Sequence, residues 1–334
     1  MRIFFDARQR LHAPARELHN GAFVPYAEHP GRAEAILAAL GETELPEDRG
    51  EDPILRVHAA DYLSFLRTAH AEWRQAGRPG DAHGYVWPVV GRRPLALARI
   101  DALLGRHSFD ASTPIAEGTW SSAYWSAQTA LSAMAAVLGG DRAAFALCRP
   151  PGHHAGADYM GGYCYLNTAA VAAESALAAG RRRVAILDID YHHGNGTQDI
   201  FYGRGDVLFA SIHADPKSDY PFYWGHADEI GEGDGEGGTL NLPLPRGTAS
   251  AGFDRALGTA LERIAGFAPD LLICSYGADT YAGDPISFFD LETADYPRIA
   301  RRIASLGLPT LIVMEGGYAV DALGRNVASF LSGF

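Results

Sequence analysis

Short runs of consecutive apolar residues recur along the chain and predict buried strands. The clearest of them cover residues 2–5, 143–148, 183–190, 206–213, 270–277 and 310–315. Strands that are buried on both faces give nearly continuous apolar runs instead of alternating apolar and polar positions. The runs therefore predict a sheet with both faces covered.

Segments with the helical period separate these runs. They cover residues 32–40, 60–73, 121–138, 168–179, 252–266, 296–305 and 320–331. Strands that alternate with helices are typical of a mostly parallel central sheet flanked by helices on both faces. Since no Pro/Ser-rich linker divides the chain, we expect an α/β fold in a single domain over residues 1–334.

Residues 78–120 interrupt the alternation. They contain GRPGD, WPVVGRRP and STPIAEG, which favour irregular structure. Long irregular segments in compact domains are usually functional loops, interface elements or disordered stretches. We interpret this segment as a loop insertion, outside the scaffold, that lies at an active site or an interface.

Composition and charge exclude several classes of protein. The 334 residues include 47% hydrophobic residues and three cysteines, and the formal net charge is −12. A nucleic-acid binder usually carries a basic stripe, which this acidic chain lacks. With few cysteines, charges within the first ten residues and no apolar run near the roughly 20 residues of a membrane helix, we expect a cytoplasmic protein without a nucleic-acid or membrane partner.

Polar residues at the ends of the predicted strands indicate where the chemistry lies, because ligands of parallel sheets bind beyond the carboxyl ends of the strands. Asp188 and Asp190 stand two positions apart at the end of one strand, and His192 continues the alternation. Asp279 follows another strand. Carboxylates with an imidazole suit a divalent metal such as zinc, and three protein ligands leave a position open for water or substrate. The alternative is that these carboxylates cap a neighbouring helix.

Two further segments carry candidate catalytic groups. His153 and His154 follow the run at 143–148, and one of them can act as a general base towards a metal-bound water. Tyr318 follows Gly316 and Gly317, so its hydroxyl can reach a developing oxyanion. Alternatively, a histidine in such a turn is structural and the tyrosine is a packed hydrophobe.

Other common motifs are weak or missing. Gly233, Gly235 and Gly238 spell G-x-G-x-x-G, but they lie in an acidic segment that follows no predicted strand, so we do not expect a phosphate site there. The sequence has no H-E-x-x-H, G-x-S-x-G or C-x-x-C, which argues against three common hydrolase or redox chemistries.

Taken together, RPPGHHAG, GGYCYLNTAA, LDIDYHHGNGTQDIFY, SYGADTYAGDP and EGGY closely resemble the histone deacetylase and acetylpolyamine amidohydrolase superfamily, from about residue 20 to the end. The insertion and the opening ELHNGAFVPYAEHPGRAE are more similar to bacterial acetylpolyamine amidohydrolases. The resemblance implies an arginase/deacetylase-like fold and a zinc-dependent amidohydrolase that removes acetyl groups from small N-acetylated amines such as acetylpolyamines. The alternatives are a deacetylase of acetyl-lysine in proteins, a deacylase of another small amide, and a binding protein on an inactive scaffold.

The resemblance also implies roles for individual residues. It assigns one zinc ion per chain to Asp190, His192 and Asp279. His154 becomes the general base, His153 its electrostatic partner and Tyr318 the oxyanion donor. Asp188 and Asn195 hydrogen-bond to His153 and His154 respectively. An asparagine in that position should leave the imidazole of His154 less basic than an aspartate would.

Further expectations concern ions, substrate and assembly. The resemblance implies one or two structural potassium ions, bound by Asp188, Asp190, His192, Ser211 and Ile212, and by carbonyls near Phe201, Arg204 and Val207. It implies that the Gly162 carbonyl accepts the substrate amide N–H, that Tyr163 and Tyr220 wall the channel, and that Asp101 lies near its entrance. We also expect a homodimer through residues 78–120, in which the partner loop helps to shape the channel.

Overall fold

The strands of the chain form one large and one small sheet in the computed structural model, which describes residues 1–88 and 96–334. In chain order the strands are β1 (Arg2–Phe4), β2 (Arg16–His19), β3 (Ala22–Pro25), β4 (Ala143–Ala146), β5 (Val184–Asp188), β6 (Val207–Ala214), β7 (Thr239–Leu244), β8 (Leu271–Tyr276) and β9 (Thr310–Met314). Within the described residues, seven of them form a parallel sheet in the order β1-β4-β9-β8-β5-β6-β7. β2 and β3 form a separate antiparallel hairpin.

Helices connect the strands of the large sheet. The described residues contain α1 (Gly31–Leu40), α2 (Asp52–Leu55), α3 (Ala60–Gln75), α4 (Ile100–Arg106), α5 (Thr119–Leu138), α6 (Thr168–Ala178), α7 (Asn195–Phe201), α8 (Ser250–Phe267), α9 (Tyr296–Ala304) and α10 (Val320–Leu331). No helix in this described part is long and apolar enough to cross a membrane.

Successive residues of the central strands pack on opposite faces of the sheet. In β4, Ala144 and Ala146 join the core cluster that contains residues of α3, α5 and α6. Phe145 and Leu147 join the cluster on the other face, with residues of α1, α8, α9 and α10. The predicted parallel sheet with helices on both faces is therefore confirmed.

The prediction for residues 78–120 is wrong in part, because this segment also supplies scaffold elements. α4 lies inside it and buries Ile100 and Leu104 in the core, and α5 begins before it ends. A short bridge between Ala82 and Ile115 ties its two ends together. Residues 89–95 of the predicted insertion lie outside the described residues.

Three kinds of element are absent from the sequence prediction. Strand β7 alternates buried and half-buried positions at the edge of the sheet, so it lacks the continuous apolar run of a central strand. The β2–β3 hairpin and the helices α2, α4 and α7 are too short for their periodicity to stand out. The predicted central strands and long helices differ from the observed ones only at their ends.

Candidate active site

Asp190, His192 and Asp279 meet beyond the carboxyl ends of the neighbouring strands β5 and β8. Nδ1 of His192 lies 3.3 Å from Oδ1 of Asp190 and 3.2 Å from Oδ2 of Asp279. Both carboxylates are fully buried. One potential ligand atom from each residue lies within 4.8 Å of the other two. The sequence prediction named these three residues as metal ligands, and the structure brings them together.

Glycines and backbone amides hold the two carboxylates in this arrangement. A Cβ atom at Gly277 would collide with Asp190, and one at Gly316 would collide with Asp279. The amide of Gly316 donates to Asp190 Oδ2 at 2.8 Å, and that of Tyr191 donates to Asp279 Oδ1 at 2.9 Å. Only glycine lets the two loops approach the carboxylates this closely.

The electrostatics of the three residues favour a cation. Burial and the charge of Asp190 raise the pKa of Asp279 to about 7. Burial lowers the pKa of His192, but its hydrogen bonds to both carboxylates outweigh burial and raise the pKa to about 10. Two buried carboxylates and an imidazole nitrogen are a donor set that fits zinc, and a divalent ion would relieve the repulsion between the carboxylates.

The adjacent histidines lie in the loop that follows β4, each with a different partner. Nδ1 of His153 lies 2.9 Å from Asp188 Oδ2, and Nδ1 of His154 lies 2.7 Å from Asn195 Oδ1. Glu315 anchors the loop, because its Oε2 accepts from the amides of Gly152 at 2.7 Å and His153 at 3.1 Å. Both imidazoles are therefore held through Nδ1.

The two histidines differ in charge. Burial lowers the pKa of His154 well below its usual value, and the neighbouring charges of His153 and His192 act in the same direction. Burial also lowers the pKa of His153, but Asp188 and Asp190 outweigh it and raise the pKa to about 10. This environment thus favours the neutral form of His154, which can accept a proton, and the protonated form of His153.

Tyr318 follows β9 on a loop that buried polar groups hold in place. Arg32 donates to the carbonyls of Glu315 and Gly317, both at 2.6 Å, and its guanidinium lies 4.8 Å from the centre of the Tyr318 ring. Asp284 accepts from the amide of Tyr318 at 2.7 Å. Sequence reasoning did not single out Arg32 or Asp284, although both lie within the quoted segments EHPGRAE and SYGADTYAGDP.

One cavity joins these groups. It has a volume of about 470 Å³ and is lined by His19, Asn20, Ser112, His154, Gly162, Tyr163, His192, Ser218, Asp219, Tyr220, Phe222, Arg246, Pro285, Ile286, Phe288 and Tyr318. A candidate base, a candidate metal ligand and a candidate oxyanion donor thus face the same space. The predicted channel residues Gly162, Tyr163 and Tyr220 line it as well.

Comparisons with known proteins agree with this geometry. The histone deacetylase domain profile matches residues 26–334. The chain belongs to the histone deacetylase family. It is 53% identical to acetylpolyamine amidohydrolase 1 of Pseudomonas aeruginosa, over 97% of this chain and 96% of that protein. It is 46% identical to the acetylpolyamine amidohydrolase of Mycoplana ramosa, over 100% and 99% of the two chains.

A solved structure extends the likeness to the whole fold. The crystal structure of acetylpolyamine aminohydrolase from Burkholderia pseudomallei superposes with a TM-score of 0.96 at 45% identity, covering 100% of this chain and 98% of that one. The predicted family and the predicted class of enzyme, a hydrolase that acts on amides, are therefore confirmed.

Two carboxylates accept hydrogen bonds from the tyrosines that line the cavity. The Tyr163 hydroxyl donates to Glu17 Oε1 at 3.0 Å, and the Tyr220 hydroxyl donates to Asp110 Oδ2 at 2.8 Å. Asp110 also accepts from the amide of Gly162 at 2.7 Å. Sequence reasoning did not single out Glu17, although it opens the quoted segment ELHNGAFVPYAEHPGRAE; the β2–β3 hairpin brings it to the site.

Asp101 pairs with arginines in the single chain. It is nearly buried on α4, where its carboxylate pairs with Arg78 and, at 2.9 Å, with Arg99. It is not among the described residues that line the cavity. α4 turns this side chain towards two arginines, so its charge is already balanced within the chain.

The residues predicted to bind potassium lie in two separate places in the structure. Asp188 and Ser211 are directly paired between β5 and β6, with Ile212 next along the strand. In the second group, an ideal Cβ at Gly238 would lie 2.8 Å from the carbonyl oxygen of Gly235, 3.2 Å from that of Arg204 and 3.4 Å from that of Val207. The Phe201 carbonyl accepts from the amide of Arg204 at 3.0 Å.

Glu17 should make the stability of the protein depend on pH. Burial raises its pKa to about 7, and its Oε2 has no hydrogen-bond partner among the described residues. As pH rises from the unfolded-state pKa of roughly 4.3 through 7, the unfolded chain ionises this group before the folded protein does, so its contribution to stability is lost. We expect the Tm of Glu17→Gln minus the Tm of the wild type, both measured by thermal unfolding, to increase between pH 5 and pH 8. A Tm difference that stays constant or shrinks over this interval would contradict the environment described for Glu17.

Proposed function

We propose that this protein is a zinc-dependent amidohydrolase that removes acetyl groups from small N-acetylated amines such as acetylpolyamines. The observation that carries the proposal is the cavity lined by His154, Tyr318 and His192, the last of which is grouped with the buried carboxylates of Asp190 and Asp279. The substrate class is supported by 46–53% identity to proteins named acetylpolyamine amidohydrolases.

Asp190, His192 and Asp279 would hold the zinc ion. A zinc ion in such a set polarises the acetyl carbonyl and lowers the pKa of a water molecule. The protein supplies the remaining groups at the reacting amide. Since the loops fix both carboxylates through backbone amides, the ligand set is preorganised.

His154 is the proposed general base. Its Nδ1 is engaged by Asn195, so Nε2 is the nitrogen that remains to accept a proton from the attacking water. Because its pKa is lowered, His154 stays neutral near pH 7 and can return the proton to the departing amine. His153, whose pKa is raised by Asp188 and Asp190, would contribute to the electrostatics of the site.

Tyr318 is the proposed donor to the tetrahedral oxyanion. Burial raises its pKa well above the ordinary value, so the hydroxyl keeps its proton at neutral pH. Arg32 and Asp284 hold the backbone on both sides of it. Preorganised donors of this kind stabilise charge that develops in the transition state.

Substrate recognition would use the walls of the cavity. The Gly162 carbonyl would accept the amide N–H, and Tyr163 and Tyr220 would wall the channel for the acyl-amine chain. Asp110 and, above its raised pKa of about 7, Glu17 lie behind these tyrosines, and we propose that they act together with Asp101 in attracting a cationic amine. Charges in a cleft with low-dielectric walls act more strongly than charges in open solvent.

We also propose one or two structural potassium ions and a cytoplasmic location. The carbonyl oxygens of Arg204 and Val207 and the Asp188–Ser211 pair support the ion sites. Three buried, unpaired cysteines, Cys148, Cys164 and Cys274, support a reducing compartment.

Kinetics with three substrates should test the proposal. N-acetylputrescine, its uncharged analogue N-butylacetamide and an acetyl-lysine peptide would be compared by steady-state release of acetate. We expect kcat/KM for acetylputrescine to exceed that for N-butylacetamide by about tenfold, because roughly 1.4 kcal/mol of attraction to the terminal ammonium gives that factor. Glu17→Gln should reduce this ratio.

Control variants separate the chemistry from the recognition. Tyr318→Phe should lose roughly a hundredfold in kcat on every substrate, because it removes an oxyanion donor. His154→Ala should be more harmful than His153→Ala. A wild-type preference for the peptide, or equal rates on the charged and uncharged amides, would count against the proposed substrate class.

We propose further that the protein is a homodimer through residues 78–120, whose partner loop narrows the cavity mouth. Tyr85 and Val86 in this segment are 60% and 57% exposed, an apolar surface that a second copy would cover. Light scattering should give twice the chain mass for the wild type and lower values for a variant with serine at both positions or with the loop core deleted.

Loss of the loop should also raise activity on the peptide relative to acetylputrescine. A monomeric wild type at micromolar concentration would refute the dimer.

A further inference from the structure

The hydrogen bonds behind His154 continue past Asn195 to the protein surface. Asn195 Nδ2 donates to the Tyr159 hydroxyl at 3.5 Å and to the carbonyl of His154 at 3.5 Å. The Tyr159 hydroxyl in turn donates to Asp199 Oδ2 at 2.6 Å. The other oxygen of Asp199 accepts from Nε1 of Trp224 at 3.1 Å. A connected path therefore runs from the candidate base to a surface carboxylate.

We propose that Tyr159 and Asp199 are positioning residues that set the direction of every hydrogen bond in this path and so keep the proton of His154 on Nδ1. The inference rests on the proposed function, in which Nε2 of His154 accepts a proton from water. Neither residue touches the substrate; both act through Asn195.

The direction follows from the chemistry of the last group. An ionised carboxylate only accepts hydrogen bonds, so the Tyr159 hydroxyl must give its proton to Asp199. The lone pairs of that hydroxyl oxygen then accept from Asn195, which presents its Nδ2 to Tyr159 and its Oδ1 to His154. An oxygen facing Nδ1 requires a proton on Nδ1, and this leaves the lone pair on Nε2.

A flipped side-chain amide of Asn195 would make unfavourable contacts with Tyr159 and would favour the wrong tautomer of His154. If Asn195 were flipped, its Oδ1 would face the lone pairs of the Tyr159 hydroxyl and the carbonyl oxygen of His154. Its Nδ2 would face Nδ1 of His154 and stabilise the tautomer with its proton on Nε2. That tautomer cannot accept a proton at Nε2, so it is not competent as a base.

Packing holds the members of the path in place. The ring of Phe109 lies 6.5 Å from that of His154, 5.6 Å from that of Tyr159 and 5.4 Å from that of Trp224. Asn195 is fully buried at the start of α7, and a Cβ at the next residue, Gly196, would collide with the backbone of Ala155. The backbone of Asn195 is therefore held against the loop that carries His153 and His154. The remaining freedom is a flip of its side-chain amide.

Asp199 acts by orientation, because it is linked to His154 through Tyr159 and Asn195. Asp199→Asn tests this directly. The single amide oxygen of the new residue would be taken by the Trp224 N–H, so its NH₂ group would face Tyr159. The tyrosine proton would then turn towards Asn195 and favour the flipped amide.

Kinetics and NMR together test the proposal. With N-acetylputrescine as the probe, we expect Tyr159→Phe and Asp199→Asn each to lose about tenfold in kcat with little change in KM, a loss typical of groups that orient catalytic residues. Adding Trp224→Phe to Asp199→Asn should restore part of kcat, since the amide oxygen becomes free to accept from Tyr159. Asp228→Asn, a change at another exposed aspartate, serves as the matched control and should match the wild type.

A double-mutant cycle separates orientation from packing. In the Asn195→Ala background, Tyr159→Phe should cost nothing further, because the path is already broken. The ¹⁵N shifts of His154, assigned by comparison with His154→Ala, should show a proton on Nδ1 in the wild type and a larger share on Nε2 in Asp199→Asn.

Each outcome bears on a different claim. Unchanged kcat and unchanged His154 shifts in Asp199→Asn would overturn the inference, as would a further loss from Tyr159→Phe in the Asn195→Ala background. Asp199 lies on the surface, so Asp199→Asn leaves the core intact even if Tyr159→Phe folds poorly. If the wild type does not hydrolyse acetylated amines, the proposed function fails, but the NMR comparison still decides the orientation of His154.

Discussion

Four carboxylates are fully buried at one edge of the sheet, and the rest of the site is arranged around them. Asp188, Asp190, Asp279 and Glu315 follow or end the neighbouring strands β5, β8 and β9, and each is inaccessible to solvent. Burying charged groups is costly unless hydrogen bonds and opposite charges compensate it. Hydrogen-bond donors and positively charged groups of the surrounding loops provide this compensation.

Each carboxylate has at least one compensating group, and Asp190 and Asp279 share His192. His153 pairs with Asp188, His192 lies between Asp190 and Asp279, and backbone amides of the histidine loop donate to Glu315. These bonds tie the loops after β4, β5, β8 and β9 to one another. The residues that balance charge are therefore also those that place the candidate base and the candidate oxyanion donor.

The central sheet and the cluster of Asp190, His192 and Asp279 could be predicted from sequence because each leaves a local signal. Strands β5 and β8 are continuous apolar runs, and the spacing of Asp188, Asp190 and His192 directs their side chains to one side. The adjacent histidines follow another such run. Where the carboxyl ends of parallel strands meet, residues that are distant in the sequence necessarily become neighbours.

The remaining features depend on tertiary packing and leave no such signal. Glu17 reaches Tyr163 because the β2–β3 hairpin brings it there, and Asp101 forms ion pairs with Arg78 and Arg99. Strand β7 lies at the sheet edge with half-buried positions, so its pattern is weak. Tyr159 and Asp199 are ordinary polar residues until the fold connects them to His154 through Asn195.

The most direct test of the claim that the buried carboxylates hold a catalytic cation is to measure metal content and hydrolytic activity on the same samples. We predict one equivalent of zinc per chain in the purified protein, loss of acetylamine hydrolysis after chelation, and recovery on adding back one equivalent of zinc or cobalt. Asp190→Ala should lose the metal and the activity together. Full metal occupancy in Asp190→Ala, or undiminished hydrolysis by protein shown to be free of metal, would contradict the account.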